Sequence, residues 1–166
     1  MGFSQWNSLS SGTSKWLYSV CFTDTSNGYT VGEGGIILKT INGGTTWSAI
    51  ESGTTLDLSS IYFTDSVTGY VSGGYWNEGI ILKTINAGTT WTKSLTNTPV
   101  LSSVHFTTFN KGYVVGDTGT ILRTVDGGST WNSLSSGTNS PLHSIYFINA
   151  TVGYVCLLYT SPSPRD

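Results

Sequence analysis

Two markers recur along this chain in a single phase. Trp6, Trp47, Trp91 and Trp131 are 41, 44 and 40 residues apart, and Gly28, Gly69, Gly112 and Gly153 are 41, 43 and 41 apart. A period near 42 residues, kept by two independent residue types, describes copies of one supersecondary unit that must stack to cover its apolar surface. Each unit reads as four short segments. The first is Leu-x-Ser-Val/Ile-x-Phe, seen as LYSVCF from Leu17, LSSIYF from Leu58, LSSVHF from Leu101 and LHSIYF from Leu142. Its β-branched residue and Phe lie two apart, on one face of a strand. The second is Gly-Tyr followed by a small-apolar pair, the third an Ile-Leu-Lys/Arg-Thr run, and the fourth starts at each Trp and enters a Ser-Gly-Thr turn. No helical periodicity appears before residue 156.

Four short strands every 40 to 45 residues predict an all-β chain, a partial β-propeller of four-stranded antiparallel blades. A β-solenoid is the runner-up, but solenoid coils have shorter periods and fewer turns per unit. The units run about 6–47, 47–91 and 91–131, with half of a fourth over 131–155. Closed propellers use roughly 4 to 8 blades, so the sequence predicts a parent chain extending beyond residue 155. A piece of this kind leaves blade faces uncovered and is expected to associate in solution.

The last eleven residues, 156–166, read CLLYTSPSPRD and share no pattern with what precedes them. They resemble the in-frame translation of a transposon-type sequencing adaptor, and the expectation is a non-native tail. Setting it aside leaves Cys21 as the one cysteine, most simply a strand residue.

Charge excludes further classes. Seven basic against nine acidic residues, a net charge of −2, supply no patch for nucleic acid and no polybasic segment for anionic lipid. No apolar run approaches the roughly 20 residues of a membrane helix, so membrane insertion is not expected, and residues 1–5 do not open a signal peptide.

The segment before each later Trp has the form Ser/Thr-x-Asp/Asn-x-Gly-x-Thr-Trp. It occurs at Thr40, Asn42, Gly44, Thr46 and Trp47, at Thr84, Asn86, Gly88, Thr90 and Trp91, and at Thr124, Asp126, Gly128, Thr130 and Trp131. Physically this is a turn: the Asp or Asn oxygen takes backbone N–H groups two residues on, Gly supplies positive φ, and Trp anchors the returning strand. Two of the three boxes carry Asn, so charge is not the requirement and a structural role is expected. With the Leu-x-Ser, Gly-Tyr and Ile-Leu-Lys-Thr elements, residues 6–155 resemble the photosystem II stability/assembly factor-like repeats, a family of Asp-box (BNR-type) propellers. The resemblance implies a seven-bladed fold and non-enzymatic assembly work, in the thylakoid lumen for photosynthetic members. The Ser/Thr/Gly/Asn-rich composition looks more like relatives that are secreted or displayed on bacterial surfaces. Asp-boxes also occur in sialidases, some glucan hydrolases and sortilin-type receptors, so the box alone selects no activity.

No catalytic residue, metal site or cofactor is expected. Sialidase chemistry needs an arginine cluster, and residues 1–155 hold Arg123 alone. A glycosidase needs two carboxyls across a cleft; Asp24 and Asp65 read as turn residues, while Glu33, Glu78 and Asp117 fall between the second and third segments, where a ligand face is conceivable beside the plainer reading of solvated loops. His105 and His143 match no zinc spacing. Two features are candidates for partner binding. Lys39, Lys83 and Arg123 hold one position in successive units, which reads either as a positive arc for an acidic partner or as a solvated strand face. Tyr75 and Trp76 sit in the longest loop of the second unit and are suited to a protein or sugar contact. The sequence thus predicts a non-catalytic binding or assembly scaffold, extracellular, periplasmic or surface-bound, or in the thylakoid lumen for a photosynthetic relative, whose partner is a protein or a surface glycan. The alternative is a piece of an Asp-box carbohydrate-active enzyme whose catalytic groups lie elsewhere.

Overall fold

A computed structural model describes residues 8–95 and 98–157. The Trp6 marker and residues 158–166 of the suspected tail lie outside the described residues. Three four-stranded antiparallel sheets follow one another: β1 (Leu17–Phe22), β2 (Gly28–Gly32), β3 (Ile37–Thr40) and β4 (Ser48–Ile50); β5 (Leu58–Phe63), β6 (Gly69–Tyr75), β7 (Glu78–Thr84) and β8 (Thr92–Leu95); β9 (Leu101–Phe106), β10 (Gly112–Gly116), β11 (Ile121–Thr124) and β12 (Asn132–Leu134). A two-stranded sheet of β13 (Leu142–Phe147) and β14 (Gly153–Leu157) ends the described chain. Strand order within each sheet is sequential, the meander of a propeller blade. First strands of neighbouring blades lie side by side, β1 on β5, β5 on β9 and β9 on β13, so they form the inner edge and the strands after each Trp form the rim. The all-β partial propeller read from the repeats is the fold observed.

The second-strand glycine has a reason that lies across the strand pair. Phe22, Phe63, Phe106 and Phe147 stand opposite Gly28, Gly69, Gly112 and Gly153, and each ring lies on its glycine so closely that a Cβ there would stand 2.6 Å from a ring carbon. The ring thereby turns sideways into the gap between blades.

That gap holds the cores. Tyr29, Val31 and Ile37 of the first blade pack with Leu58, Ile61, Val71, Ile80 and Leu82 of the second. Tyr70 and Ile81 of the second pack with Leu101, Val104, Phe106, Val114 and Leu122 of the third. Val115 packs with Leu142 and Ile145 of the two-stranded sheet, with Leu157 at the margin. A blade therefore has no core of its own. Val20, facing away from the second blade, is 60% exposed, while its repeat equivalents Ile61, Val104 and Ile145 are 6%, 4% and 6% exposed.

Two details differ from the sequence reading. The segment holding Tyr75 and Trp76 is an extended hairpin, not a loop: β6 and β7 pair out to Tyr75 and Glu78, and a glycine pair, Gly74 opposite Gly79, carries the ladder past the point where the other blades turn through short 3-10 turns at Glu33–Gly35 and Asp117–Gly119. β14 also runs two residues past 155, with Cys156 opposite Ser144 and Leu157 opposite Leu142.

Candidate functional site

The three box turns share one hydrogen-bond plan. Thr40 Oγ donates to Asn42 Oδ1 at 2.9 Å and accepts the N–H groups of Asn42 at 3.3 Å and Gly44 at 2.9 Å. Asn42 Oδ1 also accepts the Thr46 N–H at 2.9 Å, and its amide donates to Thr46 Oγ at 2.9 Å. Thr84, Asn86, Gly88 and Thr90 repeat the arrangement. In the third turn Asp126 replaces the amide and one bond reverses: Thr130 Oγ donates to Asp126 Oδ2 at 2.7 Å. The Asx oxygen thus reaches the N–H four residues on, not two, because the preceding threonine hydroxyl occupies the nearer donors. Hydrogen bonds from the Thr130 hydroxyl, the Thr130 N–H and the Thr124 hydroxyl hold the Asp126 carboxyl down at about 2. Two consecutive left-handed residues make each reversal: Gly43 and Gly44, Ala87 and Gly88, Gly127 and Gly128. Trp47, Trp91 and Trp131 are half-buried, and the indole N–H groups of Trp91 and Trp131 are buried without a hydrogen bond.

The same turns receive the neighbouring blade. Tyr29 OH and Lys39 Nζ both donate to Ala87 O, each at 2.9 Å. Tyr70 OH at 2.9 Å and Lys83 Nζ at 2.6 Å both donate to Gly127 O. Each ammonium also lies over the ring of its own tyrosine, 5.3 Å from the Tyr29 centroid and 5.6 Å from that of Tyr70, an arrangement the ring quadrupole favours. Each tyrosine stacks on the phenylalanine of the next blade, Tyr29 on Phe63 at 4.3 Å and Tyr70 on Phe106 at 3.9 Å, and those rings meet Trp91 and Trp131 edge-on. Burial comes first, and the charge of Asp65 second, in pushing the Tyr70 phenol up to about 12, so it stays a donor. The lysine row therefore stitches blades together. Arg123, third in the row, is half-buried opposite Tyr113, and its guanidinium makes no hydrogen bond among the described residues.

A stitch that sequence reasoning missed runs along the inner edge. Ser19, Ser60 and Ser103 accept, through Oγ, the N–H groups of Ile61, Val104 and Ile145 on the next blade, each at 3.3 Å. Its signal was present as the constant third residue of the first-strand motif.

Two faces remain for ligands. Box turns and first-to-second strand turns share one face, tied by Gly43 N–H to Ser26 O, Ala87 N–H to Val67 O and Gly127 N–H to Asn110 O. There the Asp24 carboxylate accepts N–H groups of Asn27 and Ser26 and is held below its ordinary range, first by the Asn27 backbone bond. For Asp65 burial alone would act upward, but the N–H groups of Val67 and Thr68 outweigh it. Both are turn residues. The opposite face carries the second-to-third strand turns and the linkers between blades, joined by Gly34 N–H to Asp57 Oδ1 at 2.8 Å and Glu33 N–H to Trp16 O at 2.9 Å. Tyr75, Trp76, Glu33 and Glu78 stand on this face, apart from the lysine row. His105 is half-buried on the inner edge between Tyr62 and Tyr146, at ring distances of 4.9 and 5.5 Å, and burial lowers its pKa. His143 is exposed. Among the described residues no three His, Cys, Asp or Glu side chains gather as a metal site, and no helix is long and apolar enough to cross a membrane.

Blades whose cores lie between them, joined by aromatic and lysine contacts to the turn before each Trp, define a β-propeller of BNR-type repeats. The family described as "Photosynthesis system II assembly factor YCF48" matches residues 1–99, and the chain belongs to that family. Among solved structures it is similar to YCF48 bound to D1 peptide, with 20% identity and a TM-score of 0.74 over 87% of this chain and 47% of that one. It is similar also to YCF48 from Cyanidioschyzon merolae, with 20% identity and a TM-score of 0.65 over 84% of this chain and 47% of that one. An ancestral GH74 enzyme matches at 16% identity and a TM-score of 0.58, over 71% of this chain and 18% of the enzyme. The chain spans about half the length of the YCF48 structures it matches. No curated protein sequence matches the chain.

Proposed function

We propose that the chain is part of a non-catalytic β-propeller that holds a segment of a partner protein during assembly, as the D1 peptide is held in the YCF48 structure it resembles. The observation that carries this reading is the family match over residues 1–99. The geometry supports it: the box side chains bond within their own turns, the lysines are turned to neighbouring blades, and the variable loops are left for recognition. Tyr75 and Trp76, on a hairpin tip, are the proposed partner contacts, and the remaining N–H groups of Lys39 and Lys83 with the guanidinium of Arg123 are a second set. The compartment we propose is the thylakoid lumen for a photosynthetic source and an extracytoplasmic one otherwise. We propose also that residues 156–166 are non-native; sequencing the locus from an adaptor-free amplicon tests this, and recovery of the same codons refutes it.

The experiment for function is titration of a D1 peptide into the chain by calorimetry, beside an assay of soluble β-glucans for new reducing ends. Saturable peptide binding without glucan cleavage is expected. Cleavage without peptide binding overturns the reading in favour of the second one, a piece of a carbohydrate-active propeller, which the likeness to the GH74 fold favours.

A further inference from the structure

The face opposite the box turns holds a groove between the first and second blades that no repeat element explains. One part is a cleft of about 390 Å³ lined by Tyr18, Glu33, Thr55, Leu56, Asp57 and Tyr75. Thr55 and Leu56 are shared with a second cleft of about 460 Å³, lined also by Glu51, Glu78 and Lys93. Four of the nine acidic residues thus line one groove, beside one basic side chain, Lys93. Lys15, next to Trp16 in sequence, donates to Gly34 O at 3.3 Å.

The carboxylates are set and half used. Asp57 Oδ1 accepts the Gly34 N–H at 2.8 Å, and Glu33 Oε2 accepts the Trp16 N–H at 3.3 Å. Neither has a further hydrogen bond or ion pair among the described residues. Burial first, then the charges of Asp57 and Glu33, raise the Tyr18 phenol above its ordinary value, consistent with negative charge held against the ring. Tyr75 is 61% exposed and Trp76 meets it edge-on at 6.3 Å, so aromatic surface stands open beside the anionic oxygens.

Aromatic faces beside carboxylates with free lone pairs suit an ammonium or guanidinium, which the ring quadrupole and the carboxylate both attract. A neutral sugar would cover these oxygens while having to supply a donor for each, at a cost wherever one is missed. Two adjoining clefts that share Thr55 and Leu56, each with two carboxylates, fit an extended chain. We propose that this groove binds an extended peptide segment through basic side chains, one between Tyr18 and Tyr75 against Glu33 and Asp57, the next against Glu51 and Glu78. The proposal rests on reading the chain as a peptide-holding scaffold and adds the site and the chemistry of the segment.

The test uses the whole chain and fluorescein-labelled Gly-Lys-Gly-Arg-Gly, with Gly-Glu-Gly-Glu-Gly and a soluble glucan hexaose as competitors. Anisotropy should rise saturably with the basic peptide and not with the acidic one, and raising salt from about 50 to about 300 mM should weaken binding at least about tenfold. Tyr75→Ala and Glu33→Gln, both at exposed positions, should each raise Kd about tenfold, while Ile85→Ser on the opposite face leaves it unchanged; circular dichroism melts confirm that each variant is folded. Absence of saturable binding of the basic peptide, indifference to Tyr75→Ala and Glu33→Gln together, or displacement by the glucan overturns the proposal. A D1 peptide titrated into the same variants separates the two claims: binding that survives both substitutions sinks the groove and leaves the scaffold, and a chain that takes neither peptide sinks both.

Discussion

The sharpest test of the box turn is Thr84→Val, which keeps shape and removes one hydroxyl. Thr84 is 1% exposed, and its Oγ makes three hydrogen bonds, donating to Asn86 Oδ1 at 2.9 Å and accepting the N–H groups of Asn86 at 3.3 Å and Gly88 at 3.0 Å. The three losses are unequal. Asn86 is exposed, so water replaces its two bonds, at a net cost of about 0.5 kcal/mol each. Gly88 is buried, and its N–H is left without an acceptor, a penalty of about 1–3 kcal/mol. The added apolar methyl returns about 0.5 kcal/mol, which places Thr84→Val about 1.5–3.5 kcal/mol below the parent. Thr84→Ser keeps all three bonds and loses one buried methyl, about 1 kcal/mol. Urea unfolding followed by tryptophan fluorescence, with midpoints compared at a common slope, should rank parent above Ser above Val. A Val variant as stable as the Ser variant would show that the threonine methyl, and not its hydroxyl, maintains the turn, and the hydrogen-bond account would fail.

Further substitutions probe the spaces between blades. Ser72 is fully buried with its hydroxyl unpaired, at the register position that Val31 and Val115 hold in the other blades, so Ser72→Val should stabilise by about 1 kcal/mol in the same urea assay. Gly69→Ala places a Cβ 2.6 Å from the Phe63 ring and should cost about 2 kcal/mol or more; Phe63→Leu in the same chain should recover part of it, and strictly additive losses would refute the cross-strand explanation. Asp126 is ionised in the folded turn down to about 2, below its unfolded value near 3.9, so its contribution is present above about pH 4 and is lost as pH falls toward about 2. Asp126→Asn, which copies Asn42 and Asn86, should flatten that part of the melting-temperature profile against pH and leave the rest unchanged.

What the sequence disclosed followed from repetition. Four copies of one first-strand motif and three boxes in phase identify strand number, direction and the blade, because each copy averages out the noise of the others. What it concealed were the reasons. The repeated glycine of Gly28-Tyr29 reads only as a marker at the start of the second segment, yet it is there to let Phe22 lie across it. The common position of Lys39 and Lys83 was legible, but their destinations are backbone carbonyls 48 and 44 residues away, and a carbonyl leaves no mark in a sequence. Tyr18 lies on β1, Glu33 in the turn after β2, Asp57 in the linker before β5 and Tyr75 at the end of β6, so their meeting depends on how one blade turns against the next.

That division bears on where recognition can reside. Several positions constant across the blades point sideways or inward: Tyr29 and Tyr70 into the next blade's core, Lys39 and Lys83 to the next box, Ser19, Ser60 and Ser103 to the next inner strand. Changing one of them disturbs two blades at once, which leaves little freedom for a partner to act on. Blades differ most in the connection between their second and third strands, a short turn at Glu33–Gly35 and at Asp117–Gly119 and a hairpin ending in Tyr75 and Trp76 in the blade between. This connection neither fills a core nor closes a box, so its side chains can change without loss of the fold. A propeller of near-identical blades acquires an address only where one blade departs from the rest. In this chain that departure lines the acidic groove through Tyr75, and exchanging residues 73–79 for the Gly32–Ile36 connection of the first blade should preserve the melt while abolishing basic-peptide binding.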